Sequence, residues 1–362
     1  MVDNYFENRA ERTIEKTREI LDDLPQFANE FFVGIQMRTS ELTRLNYACD
    51  LRVFFDYLAK KKFKNSVAAS ELTLKDLETL TALDFELFLE YLSSYSFGGK
   101  RYKCGERSKA RKLCALRSFF KYYFKRDKLS ANVTVKVDLP KIHGKEIIRL
   151  EPDEVVDMLD GATDAERLSL HQRHFHNITQ KRDIALLTLL LGTGIRVSEC
   201  VGLNRADVDF NAGAFTVTRK GGGKDILYFA DEVSAALQDY LKWLDAQIDG
   251  KTDFGKKIRN FDALFLSLQG KRISVRAVEM LVKKYAALAS PLKKITPHKL
   301  RSTYGTALYR ETNDIYVVAE VLGHKDINTT KKHYAAISDD IKRNAARVVK
   351  LRDKKPDNDN EM

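Results

Sequence analysis

The sequence predicts a mainly α-helical protein of two domains, the second of which carries a small antiparallel β-sheet. Three observations lead there. The chain has 362 residues, 44% hydrophobic and 10% aromatic, enough for about two cores and too apolar for wholesale disorder. Apolar residues recur at helical spacing over most of its length. That periodicity fails over Val133–Lys145, where VKVDLPKIHGK reads as an extended basic linker with Pro140 barring a helix. The β-rich runs Phe215–Thr218 and Ile226–Phe229 flank Arg219-Lys220-Gly-Gly-Gly-Lys224, and so pair as one hairpin turned by its glycines. The resulting division is an N-terminal extension over 1–35, a helical domain over 36–139, a linker over 140–148, a second domain over 149–350 and a polar tail over 351–362.

In the first half, Ala10–Asp22 reads as a charged helix. Phe27, Phe31 and Phe32, after Leu24-Pro25, are expected to dock on the next segment of the chain. Thr39-Ser40 caps a helix with Leu42, Leu45, Tyr47, Leu51, Phe54, Phe55 and Leu58 on one side. A second helix covers Leu74–Leu80, and a third comes after Thr81 with Phe85, Phe88, Leu89 and Leu92 inward. The fourth takes Ser108 as N-cap and buries Ala110, Leu113, Cys114, Leu116, Phe119, Phe120 and Tyr123, leaving Arg111, Lys112, Lys121, Lys125 and Arg126 elsewhere on its surface.

In the second half, Glu151-Pro152-Asp153-Glu154 opens a helix, with proline and acids in its first turn. QRHFHNITQKR reads as a polar loop or helix end. His171 just before it and His174 and His176 within it lack the cysteines and the partner pair a zinc site needs. Ile184–Leu191 is a buried aliphatic helix that stops at Gly192-Thr193-Gly194. Leu237, Tyr240, Leu241, Trp243 and Leu244 mark a core helix, Phe261–Leu268 a strand or loop, and Val278–Leu288 another helix. Thr296-Pro297-His298 starts a helix running through Leu300, Tyr304, Ala307 and Leu308, and Ile315–Leu322 forms the next. Ile337, Ile341, Ala345 and Val348 mark a last helix with a narrow apolar face.

Charge narrows the function. The net charge is +11, and the stretch from Lys100 to Ser130 holds twelve Lys/Arg against Glu106 and Asp127, a local +10. Such a surface repels itself unless an anionic partner neutralises it, and backbone phosphates are the obvious candidate. Lys100, Arg101, Lys103, Arg107, Lys109, Arg111, Lys112 and Lys121 are the candidate contacts with double-stranded DNA. Four cysteines without CxxC spacing read as reduced packing residues. No run approaches the eighteen or so apolar residues of a membrane span, so the expected location is the cytoplasm, on the nucleoid. No nucleotide-binding or metalloprotease motif is present, and no cofactor is expected.

The chemistry gathers around Gly192–Cys200, GTGIRVSEC, where a buried helix ends and presents Arg196. Later come His298-Lys-Leu-Arg301, Leu322-Gly-His324 and Tyr334. In-line attack on a phosphodiester concentrates negative charge on the equatorial oxygens. Arginine suits that charge because its guanidinium is always ionised and its fork matches two oxygens at once. A tyrosine is mostly protonated at neutral pH, and histidines beside it could share or take the proton.

Taken in order, Arg196, Lys220, His298, Arg301, His324 and Tyr334 resemble the tyrosine recombinases. That family includes phage integrases and the bacterial Xer proteins. The resemblance covers essentially residues 40 to 345. It implies a helical core-binding domain, carried by the ALRSFFKYYF text, that clamps the duplex from one side, and a mixed α/β catalytic domain. It implies Tyr334 as nucleophile, forming a 3′-phosphotyrosine without ATP or metal. Lys220 would protonate the leaving 5′ oxygen, and Glu199 would orient Arg196 or a histidine. Four protomers would synapse two DNA sites, with an accessory protein in some systems. Tyr334 lies ten residues after His324, one more than in the relatives it resembles. The N-terminal extension, the insert around Arg167–Lys181 and RDIALLTLLLGTGIRVSEC look most like the stand-alone Xer type, which resolves chromosome dimers. The alternative is the integrase or excisionase of a mobile element, and from other classes a type IB topoisomerase or a catalytically inactive DNA-binding regulator.

Overall fold

The computed structural model describes residues 5–142, 147–219, 222–259, 262–323 and 326–327. These fall into two compact units, one up to residue 142 and one from residue 147 onward. The fold is mainly helical with two small antiparallel sheets.

The N-terminal unit is a helical bundle made of α1 (Tyr5–Asp22), α2 (Ala28–Ile35), α3 (Glu41–Tyr57), α4 (Leu74–Glu78), α5 (Ala82–Tyr91) and α6 (Glu106–Phe124). Ser40 caps α3 through a hydrogen bond from Thr43 N, as its position before the apolar stripe predicts. The core is aromatic: Phe54 stacks on Phe85 with centroids 5.4 Å apart, and Phe31 meets Phe119 edge-on at 5.0 Å. Residues 5–35 are part of this bundle and no separate extension, because Phe31, Phe32 and Ile35 are buried in the same core. Tyr122 Oη also donates to Glu30 O at 2.8 Å.

Several details differ from the sequence expectations. Helix α6 starts at Glu106 with Gly105 as N-cap, so Ser108 lies inside it. Leu42 and Cys114 are exposed, and Tyr122 takes a buried place instead. A hairpin, β1 (Tyr95–Phe97) with β2 (Lys100–Tyr102), precedes α6 and was not legible. Gly98 and Gly99 turn it with φ of 55° and 74°, a conformation that glycine alone adopts freely. Residues Val133–Lys136 form a 3₁₀ turn rather than an open linker. Arg117 Nε and Nη2 hold that turn by donating to Thr134 O and Val137 O.

The C-terminal unit begins with α7 (Pro152–Thr163), with proline at its first position. Then comes α8 (Leu170–Thr193), a 24-residue helix capped by Ser169. The histidine-bearing stretch is therefore helix and not loop. Its polarity misleads because only one face of that part is covered, whereas Leu186, Leu187, Leu189 and Leu190 further on are all buried. After α9 (Val197–Gly202), β3 (Val208–Asp209), β4 (Ala214–Thr218) and β5 (Lys224–Tyr228) form an antiparallel sheet in that order. Phe215 pairs with Leu227 and Thr218 with Lys224, so the hairpin closes around the glycine turn. The chain ends its described part with α10 (Asp231–Asp249), α11 (Val275–Ala289), α12 (Pro297–Thr312) and α13 (Ile315–Val321).

Helix α8 packs against α7, α10 and α12. A buried carboxylate fixes it to α11: Asp183 Oδ2 accepts from Lys284 Nζ at 3.0 Å and from Tyr285 Oη at 2.9 Å, while Arg182 binds Oδ1. Burial alone would raise the Asp183 pKa, but the two cations outweigh it and hold the group below the usual carboxylate range. Among the described residues, no helix is long and apolar enough to cross a membrane. None of their His, Cys, Asp and Glu side chains gather in threes to hold a metal ion. The helix expected around Ile337 and Ile341 lies outside the described residues.

Candidate active site

The site is built where three loops meet in the C-terminal unit. Helix α8 stops at Gly194, whose φ of 60° and ψ of 20° are left-handed. A Cβ there would lie 2.5 Å from Tyr304 Cδ1, so glycine is required both for the turn and for the close approach of α12. The turn points the next residues back across the unit. Ile195 is buried, and Arg196 sits at the N-cap of α9.

Arg196 is held on two sides. Nη1 donates to Glu199 Oε1 at 2.9 Å and Nη2 to Gly323 O at 2.9 Å. The side chain remains 34% exposed, whereas Glu199 is 3% exposed. Further N–H donors of Arg196 therefore face outward while the carboxylate behind it is shut in. Cys200 follows Glu199 in the core; burial, with Glu199 adding to it, pushes its thiol up to about 12, so it stays protonated and inert.

Arg301 arrives from α12, whose start is set by Thr296 and Pro297. It is 4% exposed. Nη1 donates to Gly194 O at 2.7 Å, and Nη2 donates to Leu322 O. His298 lies three residues earlier on the same helical face and is exposed. The short helix α13 then delivers Leu322 and Gly323, the latter with φ of 58°. Leu322 is buried against Tyr304, Leu308 and Ile315.

The structure thus brings Arg196, Glu199 and Arg301 together around one turn and sets His298 beside Arg301 in the helix. Lys220, His324 and Tyr334 lie outside the described residues. Sequence reasoning missed Arg219. Its Nη1 donates to Glu199 Oε2 at 3.0 Å and its Nε to Asp225 Oδ2 at 2.9 Å. The available signal was a cation ending one strand of a glycine-turned hairpin with Asp225 nearly opposite it.

The basic segment of the N-terminal unit also sorts into two groups. Lys112 is 6% exposed, with Nζ 2.7 Å from Asp50 Oδ1. The expectation that it stands free for DNA is overturned, because Asp50 on α3 is itself 1% exposed and needs that charge. Arg111 binds the same carboxylate through Nη1 and Nη2. Lys109 is mostly covered and donates to Ser93 Oγ at 2.9 Å. Lys100, Arg101, Lys103, Arg107 and Lys121 are exposed. Among the described residues, no ion pair involves these five.

A fixed pair of arginines with a backing carboxylate, on a mainly helical two-unit scaffold, is an arrangement suited to holding a phosphodiester. Residues 149–340 match the phage integrase family. Tyrosine recombinase XerC of Caldanaerobacter subterraneus subsp. tengcongensis is 31% identical over 323 residues, covering 85% of this chain and 81% of that protein. Tyrosine recombinase XerS of Streptococcus agalactiae serotype III is 30% identical over 364 residues, covering 92% of this chain and 98% of that protein. The fold is similar to that of XerH site-specific recombinase bound to palindromic difH substrate in its post-cleavage complex. The TM-score is 0.61 at 20% identity, covering 85% of this chain and 80% of that one. The chain belongs to the phage integrase family of tyrosine recombinases.

Proposed function

We propose that this protein is a Xer-type site-specific recombinase that resolves chromosome dimers, cleaving and rejoining double-stranded DNA as a homotetramer on two synapsed sites. The observation that carries this reading is the pair of arginines locked to consecutive carbonyls, Arg301 to Leu322 O and Arg196 to Gly323 O. The turn that holds them leads straight into His324 in the sequence. The similarity to XerS over nearly its full length supports the Xer assignment.

In the reaction, Tyr334 Oη attacks the scissile phosphorus. The phenolic proton passes to His298 or His324, and the P–O5′ bond breaks. Lys220 gives the 5′ oxygen its proton, leaving a 3′-phosphotyrosine and a free 5′-hydroxyl. Arg196 and Arg301 meet the charge on the equatorial oxygens, and their pre-set hydrogen bonds mean that little reorganisation is needed as it develops. Religation is the reverse, with a 5′-hydroxyl from the partner duplex as nucleophile. Lys100, Arg101, Lys103, Arg107 and Lys121 contact backbone phosphates and set the register without reading sequence, with the half-exposed Arg111 beside them.

The test uses nicked suicide duplexes taken from the replication-terminus region and from the ends of mobile elements of the host, with wild type and Tyr334→Phe. A covalent adduct on one terminus sequence, absent in the variant, is the expected result. An adduct confined to element ends would replace dimer resolution by integration. Relaxation of any supercoiled plasmid would indicate a topoisomerase, and binding without an adduct a regulator.

A further inference from the structure

We infer that Arg219 is a positioning residue that holds the general-acid turn of the hairpin against the arginine pair. The inference rests on the recombinase reading and on Lys220 as the acid. Three contacts converge on this side chain, which is 14% exposed. The first is Glu199, whose carboxylate it shares with Arg196. The second is Asp225, the residue after the first in β5, bound through Nε at 2.9 Å. The third is Gly323: a Cβ built there would lie 2.9 Å from both Cζ and Nη2 of Arg219. The guanidinium therefore covers the Cα of the residue whose carbonyl Arg196 holds.

The backbone of Arg219 closes the hairpin end as well. Its N–H donates to Gly223 O at 2.7 Å, and its carbonyl accepts from Gly222 N–H at 3.0 Å. The chain leaves for position 220 from an anchored residue. One guanidinium bound to the hairpin's own acid and to the buried Glu199, and lying over Gly323, fixes the residue from which the chain leaves for position 220 relative to the arginine pair. Arg219 touches no reacting atom in this scheme; it acts through Lys220.

Single-turnover cleavage on suicide duplexes with a 5′-bridging oxygen or a 5′-bridging sulfur tests this. Sulfur leaves as a thiolate and takes up no proton, so a fault in acid delivery vanishes with it. Arg219→Ala is expected to lose about 100-fold on the oxygen substrate, the scale of a misplaced acid, and to cleave the sulfur substrate near the wild-type rate. Lys220→Ala is the reference for a missing acid. Arg196→Ala is the reference for a missing phosphate donor, which sulfur does not restore. Asp225→Asn, which alters only the more exposed partner, gives the Arg219→Ala pattern at smaller amplitude and decides the matter should Arg219→Ala fail to fold. Wild-type cleavage of the oxygen substrate by both variants overturns the proposal, as does sulfur rescue of Lys220→Ala without rescue of the position 219 or 225 variants. If sulfur fails to rescue Lys220→Ala while the wild type still forms its adduct, the acid role falls and the proposal with it. Absence of any wild-type adduct rejects the recombinase reading itself.

Discussion

Arg196 and Arg301, 105 positions apart in sequence, are bound to neighbouring carbonyl oxygens, Gly323 O and Leu322 O. The two guanidiniums are thereby fixed relative to one another by consecutive carbonyls of one turn. They differ in burial, since Arg301 is 4% exposed and the Arg196 side chain 34%, and the difference separates their expected behaviour on substitution.

Arg196→Lys should lower the cleavage rate by about 100- to 1000-fold, as loss of a transition-state donor does, with little change in thermal unfolding. Arg301→Lys should lose activity on the same scale and also unfold at a lower temperature, because a lysine serves only one of the carbonyls Gly194 O and Leu322 O and leaves the other buried without a donor. Single-turnover cleavage and calorimetry on the same preparations check both. Equal stability losses would show that the burial difference is irrelevant.

Gly194→Ala should lower both stability and rate. The left-handed φ costs an alanine about 1–2 kcal/mol, and the added Cβ would lie 2.5 Å from Tyr304 Cδ1. Relief of that clash moves either α12 or the Gly194 carbonyl that holds Arg301. Urea unfolding combined with adduct formation tests it, and a variant with wild-type cleavage would contradict the coupling.

Alanine at Lys100, Arg101 and Lys103 should each weaken DNA binding uniformly across sequences. Each should also reduce the slope of log K against log salt by about one unit. Lys112→Met should leave that slope unchanged, because its ammonium is bound to Asp50. Fluorescence anisotropy over a salt series distinguishes the two, and a lower slope for Lys112→Met would return that lysine to the interface.

Asp50→Ala should destabilise the N-terminal unit by about 3–5 kcal/mol, since it leaves a buried lysine unpaired. Replacing Asp50 and Lys112 together by Asn and Met should cost much less. Denaturant midpoints of the three proteins give the comparison, and equal losses for the single and double variants would remove the unpaired charge as the cause.

His176 is 2% exposed. Burial first, and the Lys284 charge second, hold its pKa below the ordinary 6.5. The unfolded chain takes up this proton as pH falls through about 6.5 while the folded chain does not. The neutral form's contribution to stability is thus present at high pH and lost as pH falls below that value. His176→Phe should therefore lose less stability than the wild type between about pH 7.5 and 5.5, measured by urea unfolding at both. A larger acid loss in the variant would refute the assignment.

Much of the fold was legible because helical stripes are local. Leu51, Phe54, Phe55, Phe119 and Phe120 declare their faces by spacing, and the glycines after Lys220 declare the hairpin. The histidine stretch before Arg182 was not legible, since a helix with one covered face reads as polar text. The turn chemistry of Gly98-Gly99 was overlooked for a different reason: strands of three residues are too short to show a period.

What the sequence by itself determined is the kit and its order: the aromatic bundle, the hairpin, the arginines at the ends of buried helices and the excess of positive charge. Each follows from residue type and short-range spacing. Tertiary structure alone decided which of those charges are spoken for. Asp50 and Lys112 are 62 residues apart and Arg219 and Glu199 are 20 apart, and no local pattern indicates that either pair meets. A side chain's face is written in its helix, but what stands opposite that face depends on how the helices pack, and that is where Arg219 acquired its place beside the site and Lys112 lost its place on the surface.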